Sequence, residues 1–226
     1  MKIDIISAHP DMFEGFLDHS ILKIGKEKGL IEITVHDLRK WTEDKHHTVD
    51  DTPYGGGPGM IMKIEPFHQA ITELRQEDSF VILTTPAGEI YDQEKAHKFL
   101  DYRHLIIICG HYKGIDARID NFIDMKLSVG DYILTGGELP AAIIVDSVCR
   151  LIPGVISDLD SALSDSFENG LLDCSYYTRP YDFMGLKVPE VLTSGNHKKI
   201  DEWRYNDSIE ITEKYRPELL KKLNKK

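Results

Sequence analysis

Nowhere in the 226 residues does an apolar stretch approach the length of a membrane span. The opening Met1-Lys2-Ile3-Asp4-Ile5-Ile6 enters a strand-like run with neither the apolar region nor the small-residue cleavage site of an export signal. The expectation is a soluble, cytoplasmic protein with no membrane partner. Cysteine is scarce: Cys109, Cys149 and Cys174 are odd in number and widely spaced, and two of them sit in apolar runs. That excludes a disulfide scaffold and points to reduced core thiols. Positive charge is also short, with 27 Lys and Arg against 38 Asp and Glu and a net charge of −11. A protein that wraps nucleic acid draws on clustered cations, so the balance argues against one. The deficit is uneven, however. From Lys187 to Lys226 ten basic residues face seven acidic ones, so this tail is +3 and the remainder −14, which permits RNA contact without demonstrating it.

What is present is an alternation of β-rich apolar runs and amphipathic stretches. Ile3 to Ile6, Ile31 to Val35, Phe80 to Thr84, Leu105 to Cys109 and Met125 to Val129 read as strands; Met12 to Lys28, Glu65 to Arg75, Gln93 to Leu100 and Ile115 to Phe122 read as helices. The pattern predicts an α/β fold, a mostly parallel sheet with helices on its faces. A nearly all-apolar helix is expected from Glu138 to Ile152, with Pro140 in its first turn and Pro153-Gly154 as its stop. The polar, acidic stretch 157–170 has no periodicity and reads as a mobile linker to a small C-terminal helical domain, with helices around His197 to Tyr205 and Pro217 to Leu223.

In parallel sheets ligands gather where strands give way to loops, so the Gly-rich segments are the places to search. There are three: Tyr54 to Met60, Cys109 to Asp116 and Gly130 to Pro140. None carries Gly-Lys-Ser/Thr, and none is a Gly-x-Gly-x-x-Gly opening a helix, so by glycine content alone they are either tight turns or a ligand site. Asp146 and Arg150 lie four apart on the apolar helix, as an intrahelical ion pair or as a fixed cation for a site. Asp165, within the acidic stretch, would pass by itself for a solvated carboxylate or a helix cap. His46-His47 with Asp50-Asp51 lacks a third defined ligand, and no metal site is expected there.

Taken in order, the motifs Asp51-Thr52-Pro53-Tyr54-Gly55-Gly56-Gly57-Pro58-Gly59-Met60, Cys109-Gly110-His111-Tyr112, Gly130 to Pro140 and Arg150-Leu151-Ile152-Pro153-Gly154 are followed by four more. These are Asp165-Ser166-Phe167, Gly170-Leu171-Leu172-Asp173, Tyr177-Thr178-Arg179-Pro180 and Leu192-Thr193-Ser194-Gly195-Asn196-His197. Over essentially the whole chain this series resembles the bacterial tRNA (guanine-N1)-methyltransferase family.

The resemblance implies a deep trefoil knot in the α/β domain, which periodicity does not reveal. It implies residues 1–156 as a knotted catalytic domain, 157–170 as a flexible linker carrying a catalytic Asp, and 171–226 as a helical tRNA-binding domain. It further implies a homodimer with active sites at the subunit interface. S-adenosylmethionine would be bound by Thr85, Pro86, Gly110, Val129, Gly130, Asp131, Tyr132, Ile133, Leu134, Gly136 and Gly137. Asp165 would be the base that deprotonates N1 of guanosine 37 in the anticodon stem-loop of tRNAs with G36-G37, and Arg150 the cation that takes up the charge. The biological role implied is reading-frame maintenance. One position departs from the pattern: many members have Glu where this chain has Lys113. That Glu goes with magnesium-dependent activity and with contact to the catalytic Arg. A Lys ammonium cannot ligate Mg2+ and would repel Arg150, so Mg2+ dependence conflicts with the residue present. Lys113 and the acidic surface also keep open a catalytically impaired knotted RNA-binding protein, and a related knotted methyltransferase acting on another RNA is the third reading.

Overall fold

The computed structural model describes residues 1–156 and 164–223 and divides into two units, Met1–Leu159 and Asp160–Lys226. The first half of the expected linker, 157–163, lies outside the described residues.

The first unit runs β1 (Lys2–Ser7), α1 (Ser20–Glu27), β2 (Glu32–Asp37), β3 (Asp50–Asp51), β4 (Ile61–Met62), α2 (Ile64–Leu74), β5 (Ser79–Ile90), α3 (Gln93–Phe99), β6 (His104–Cys109), β7 (Met125–Ser128) and α4 (Glu138–Cys149). Five strands form one sheet in the order β2-β1-β6-β5-β7, and every pairing in it is parallel. The predicted α/β class with a mostly parallel sheet is therefore what the chain adopts. β6 shows why. All six of its residues are buried, and alternate side chains enter two different cores: Leu105, Ile107 and Cys109 meet α3 and α4, while Ile106 and Ile108 meet α2. A strand with apolar side chains on both faces has to be covered on both, and helical crossovers do that.

Two predicted helices come out differently. The stretch Met12 to Lys28 is broken into 3-10 turns at Pro10–Phe13 and Phe16–Asp18 before α1 begins. Gly15 takes a left-handed φ of 78° between them, which turns Phe13 and Leu17 inward and ends any continuous helix. Ile115 to Phe122 is likewise only a 3-10 turn, Ala117–Asn121. There the Asp116 carboxylate accepts from Arg118 N at 2.9 Å and caps the turn, while Ile115, Ile119 and Phe122 still pack against the core. The strand after Ser79 instead runs further than expected, to Ile90, with residues 85–88 leaving the ladder between the pairs Thr84↔Leu127 and Glu89↔Leu127.

At the amino ends of the strands, Asp4 is 1% exposed. Its carboxylate meets Nε2 of His36 and of His104, each at 2.8 Å, and Lys2 Nζ at 2.9 Å. Burial raises its pKa, but the hydrogen bonds from His36, Lys2 and His104 outweigh burial and hold the group at about 2, below its ordinary 3.8. A carboxylate depressed on folding adds stability that is fully present above its unfolded pKa. It disappears as pH falls through the folded value. Between about pH 5 and about pH 2.5 the unfolding free energy should thus fall by about 1.5 kcal/mol more in the natural chain than in Asp4→Asn, as read from urea titrations. Equal slopes would remove Asp4 from acid sensitivity.

The second unit carries a β-hairpin of β8 (Asp182–Phe183) and β9 (Leu186–Lys187). Met184 and Gly185 form its turn with φ of 55° and 86°, the left-handed pair that a two-residue hairpin requires. Helices α5 (Glu190–Thr193), α6 (His197–Tyr215) and α7 (Pro217–Leu223) follow. α6 extends ten residues past the expected Tyr205, and its buried residues are polar: Ser208 and Thr212. Thr212 and the neighbouring Asp207 are spent on backbone. Thr212 Oγ1 accepts from Leu172 N at 2.9 Å, and Asp207 accepts from Ser175 N at 2.6 Å. The helix thereby holds the extended segment 171–175 by hydrogen bonds where an apolar stripe would ordinarily do so.

Candidate functional site

The carboxyl ends of β5, β6 and β7 meet at one cavity of about 670 Å3. This is where a parallel sheet offers backbone to a ligand. Thr85 and Pro86 enter from β5, Gly110 from β6, and Val129, Gly130, Tyr132, Ile133 and Leu134 from the loop after β7; Gly136 and Gly137 close the wall before α4. Ten of the eleven residues expected to hold a cofactor thus share one space. Asp131 stands apart, exposed and outside the lining.

Glycine is needed here for close approach. Gly137 N donates to Gly110 O at 2.8 Å, and Gly137 O accepts from Thr84 Oγ1 at 3.3 Å. A Cβ on Gly137 would lie 2.2 Å from Thr84 Oγ1 and 2.8 Å from Gly110 N, distances no real side chain tolerates. Gly130 has a φ of 149°, with the Tyr132 ring folded back over it so that a Cβ would fall 2.5 Å from Cε1. The loops are consequently locked against one another, and at Gly110, Gly130, Gly136 and Gly137 no side chain stands between the main chain and the cavity.

Few charges reach the space. Asp120 and Lys126 pair at 2.7 Å. Lys113 lies along Gly59, whose Cβ would meet the lysine Cγ at 2.7 Å. Tyr112 before it is held at φ 58°, and the His111 ring is 4.5 Å from that of His9. Behind the wall, Glu138 is 2% exposed and accepts from Ser7 Oγ at 2.7 Å through Oε1. Its Oε2 and the Nδ1 of His111 are the two buried side-chain polar atoms without a hydrogen-bond partner among the described residues. Burial and the nearby Glu138 push the Cys109 thiol well above its usual range, and burial takes Cys149 to about 12. These thiols are protonated core groups, not nucleophiles.

Arg150 closes α4, its N donating to Asp146 O at 3.1 Å, and is half-buried. Asp165 belongs to the second unit and is also half-buried. The turn that carries it is tied down by Phe167 N to Leu171 O at 2.7 Å and Asp173 N to Ser166 Oγ at 2.9 Å. The Arg216 guanidinium lies 5.6 Å from the centre of the Phe167 ring. The Ser7–Glu138 bond was not foreseen. Its one sequence signal is a carboxylate directly after Gly136-Gly137, ahead of the apolar run Leu139 to Val145.

No helix among the described residues is long and apolar enough to cross a membrane. The family model described as tRNA (Guanine-1)-methyltransferase TrmD matches residues 1–222. Among curated relatives, a protein of Dictyoglomus turgidum is 51% identical over 222 residues, covering 98% of this chain and 91% of its own. One of Bacteroides fragilis is 52% identical over 223 residues, covering 97% and 99%. One of Cytophaga hutchinsonii is 49% identical over 228 residues, covering 100% and 97%. All three are named tRNA (guanine-N(1)-)-methyltransferase.

Proposed function

The chain belongs to the tRNA (guanine-1)-methyltransferase family, and from that premise we propose that it transfers the methyl group of S-adenosylmethionine to N1 of guanosine 37 in tRNAs with G36-G37. Such a modification beside the anticodon supports the reading frame, in the cytoplasm where tRNA is used. The observation that carries the proposal is the cavity at the carboxyl ends of β5, β6 and β7, walled by Gly110, Gly130, Gly136 and Gly137.

The residues present suit S-adenosylmethionine. The volume admits a ligand of its size, the glycines leave main chain open to its adenosine, and the single carboxylate lining the space is already paired. Bound there, it supplies a methyl carbon on cationic sulfur, open to in-line displacement. The same donor set does not suit Mg2+. Asp120 is held by Lys126, and Lys113 adds a second ammonium, where a hard divalent ion needs several free oxygens.

Guanine N1 carries a proton at neutral pH and has no lone pair to offer until that proton leaves. Asp165 is the base that takes it. As the proton moves, negative charge spreads toward O6, and the Arg150 guanidinium is the cation that holds it. No covalent link to the protein is required, so alignment of N1 with the methyl carbon provides most of the acceleration. In a homodimer the partner subunit completes each site. Leu139 and Ile143, four apart on α4, are 51% and 44% exposed and offer apolar surface for that contact.

The test is incubation with labelled S-adenosylmethionine and tRNA bearing G36-G37, followed by nucleoside analysis. Label is expected in N1-methylguanosine. Its absence there, with or without Mg2+, overturns the assignment.

A further inference from the structure

The second unit holds a cavity of its own, about 540 Å3, built wholly from residues between Ser175 and Arg204. Its wall is unusual for a chain of net charge −11. Tyr176, Tyr177 and Tyr181 line it, 66%, 49% and 44% exposed, and so do the exposed guanidinium groups of Arg179 and Arg204. No Asp or Glu is in the lining. Among the described residues neither Arg has an ion-pair or hydrogen-bond partner. Two carboxylates of the same region are directed to other groups: Asp207 accepts from Ser175 N at 2.6 Å, and Asp173 accepts from Cys174 N at 2.7 Å and from the Tyr176 hydroxyl at 3.2 Å. Trp203 backs the Tyr177 ring at 6.2 Å.

Exposed tyrosines and uncommitted guanidinium groups in one concave space match a particular ligand chemistry. A nucleobase unstacked from its neighbours finds aromatic faces, and the flanking phosphates find cations. An apolar helix would leave both Arg side chains unanswered. An acidic peptide would leave the tyrosines without a stacking partner. We propose that this cleft seats one unstacked nucleotide of the tRNA substrate, its base against Tyr177 and Tyr181 and its phosphates on Arg179 and Arg204. The assignment rests on the tRNA reading above and adds to it a site within the second unit.

The experiment uses the full chain and a labelled anticodon stem-loop, with affinity read by fluorescence anisotropy over a salt series. Replacing both cations, Arg179→Met with Arg204→Met, should weaken binding about tenfold or more and reduce the log–log salt slope by about 1.4, near 0.7 per lost phosphate contact on single-stranded RNA. Tyr177→Leu with Tyr181→Leu should cost about tenfold at an unchanged slope, because neutral rings release no counterions. Lys221→Met with Lys222→Met removes the same charge from α7, outside the cleft, and should cost much less. Equal losses from the two cation pairs would reduce the cleft to a diffuse field effect and overturn the proposal. So would wild-type affinity in the tyrosine pair, or binding of free guanosine monophosphate as tight as that of the stem-loop. S-adenosylhomocysteine titration should be unchanged in every variant, since these side chains lie in the other unit. Thermal unfolding should be unchanged in the two cation pairs and shift by no more than about 4 °C in the tyrosine pair, which loses the Trp203 contact. If the natural chain forms no N1-methylguanosine, the functional reading fails. If it does and the variants bind like it, the cleft alone fails.

Discussion

Asp165→Ala is expected to bind S-adenosylhomocysteine within about twofold of the natural chain and to form N1-methylguanosine roughly 10²- to 10⁴-fold more slowly in single-turnover assays, the usual share of a general base. The reason is specific to the acceptor. Guanine N1 cannot attack while protonated, so on the proposed reading of Asp165 as the base its loss removes the nucleophile without touching the cofactor. The turn that carries Asp165 should survive, because Phe167 N, Leu171 O, Asp173 N and Ser166 Oγ hold it together. A pH series separates a chemical role from a structural one. The residual rate of Asp165→Ala should rise with pH as solvent takes over the proton, whereas a misplaced turn would give a uniformly low rate. Near-normal turnover at neutral pH would take Asp165 out of the mechanism.

Gly137→Ala should cost about 3 kcal/mol or more in urea unfolding and abolish S-adenosylhomocysteine binding, the upper range for overpacking a closed site. The added methyl meets Thr84 Oγ1 at 2.2 Å, Gly110 N at 2.8 Å and Cys109 Cα at 2.9 Å. Two of those three are backbone at the end of β6, which has nowhere to go. Gly110→Ala is the informative contrast. Its Cβ would make only ordinary contacts, the nearest being Ile115 Cγ1 at 3.7 Å. Stability should then change by no more than about 0.5 kcal/mol while ligand affinity falls. Loss of stability at Gly110 equal to that at Gly137 would mean that the loops are packed for the fold and not for a ligand.

Much of this molecule was legible in the sequence, and the exceptions have physical causes. β6 could be read because five consecutive apolar positions, Leu105 to Cys109, stopped by Gly110, fit a strand buried on both faces. α6 was read short because its inward residues are Ser208 and Thr212, which look solvated in a hydropathy pattern. The region from Met12 to Lys28 has helical spacing, but its break depends on one glycine taking a left-handed turn. Two motifs of the sequence, Tyr177 to Pro180 and Leu192 to His197, supply part of the Arg and Tyr cleft of the second unit. That they share one space with Tyr181, Val188, Ile200 and Arg204 had no local signature, since these residues come from an extended segment, a hairpin flank and two helices.

The sequence by itself determined the class of fold and two of the three Gly-rich segments, Cys109 to Asp116 and Gly130 to Pro140, that come to line the cavity; Tyr54 to Met60 is not in its lining. Periodicity sets which faces must be covered, and glycine runs after strands set where main chain lies open; both are local properties. Only the tertiary structure decided that the three carboxyl-end loops share one cavity, that Gly137 lies against Gly110 and Thr84, and that Glu138 is buried against Ser7. Those relations join residues from about 30 to about 130 positions apart, and a contact at such separation is selected by the packing of the whole sheet and its helices, which no local pattern encodes.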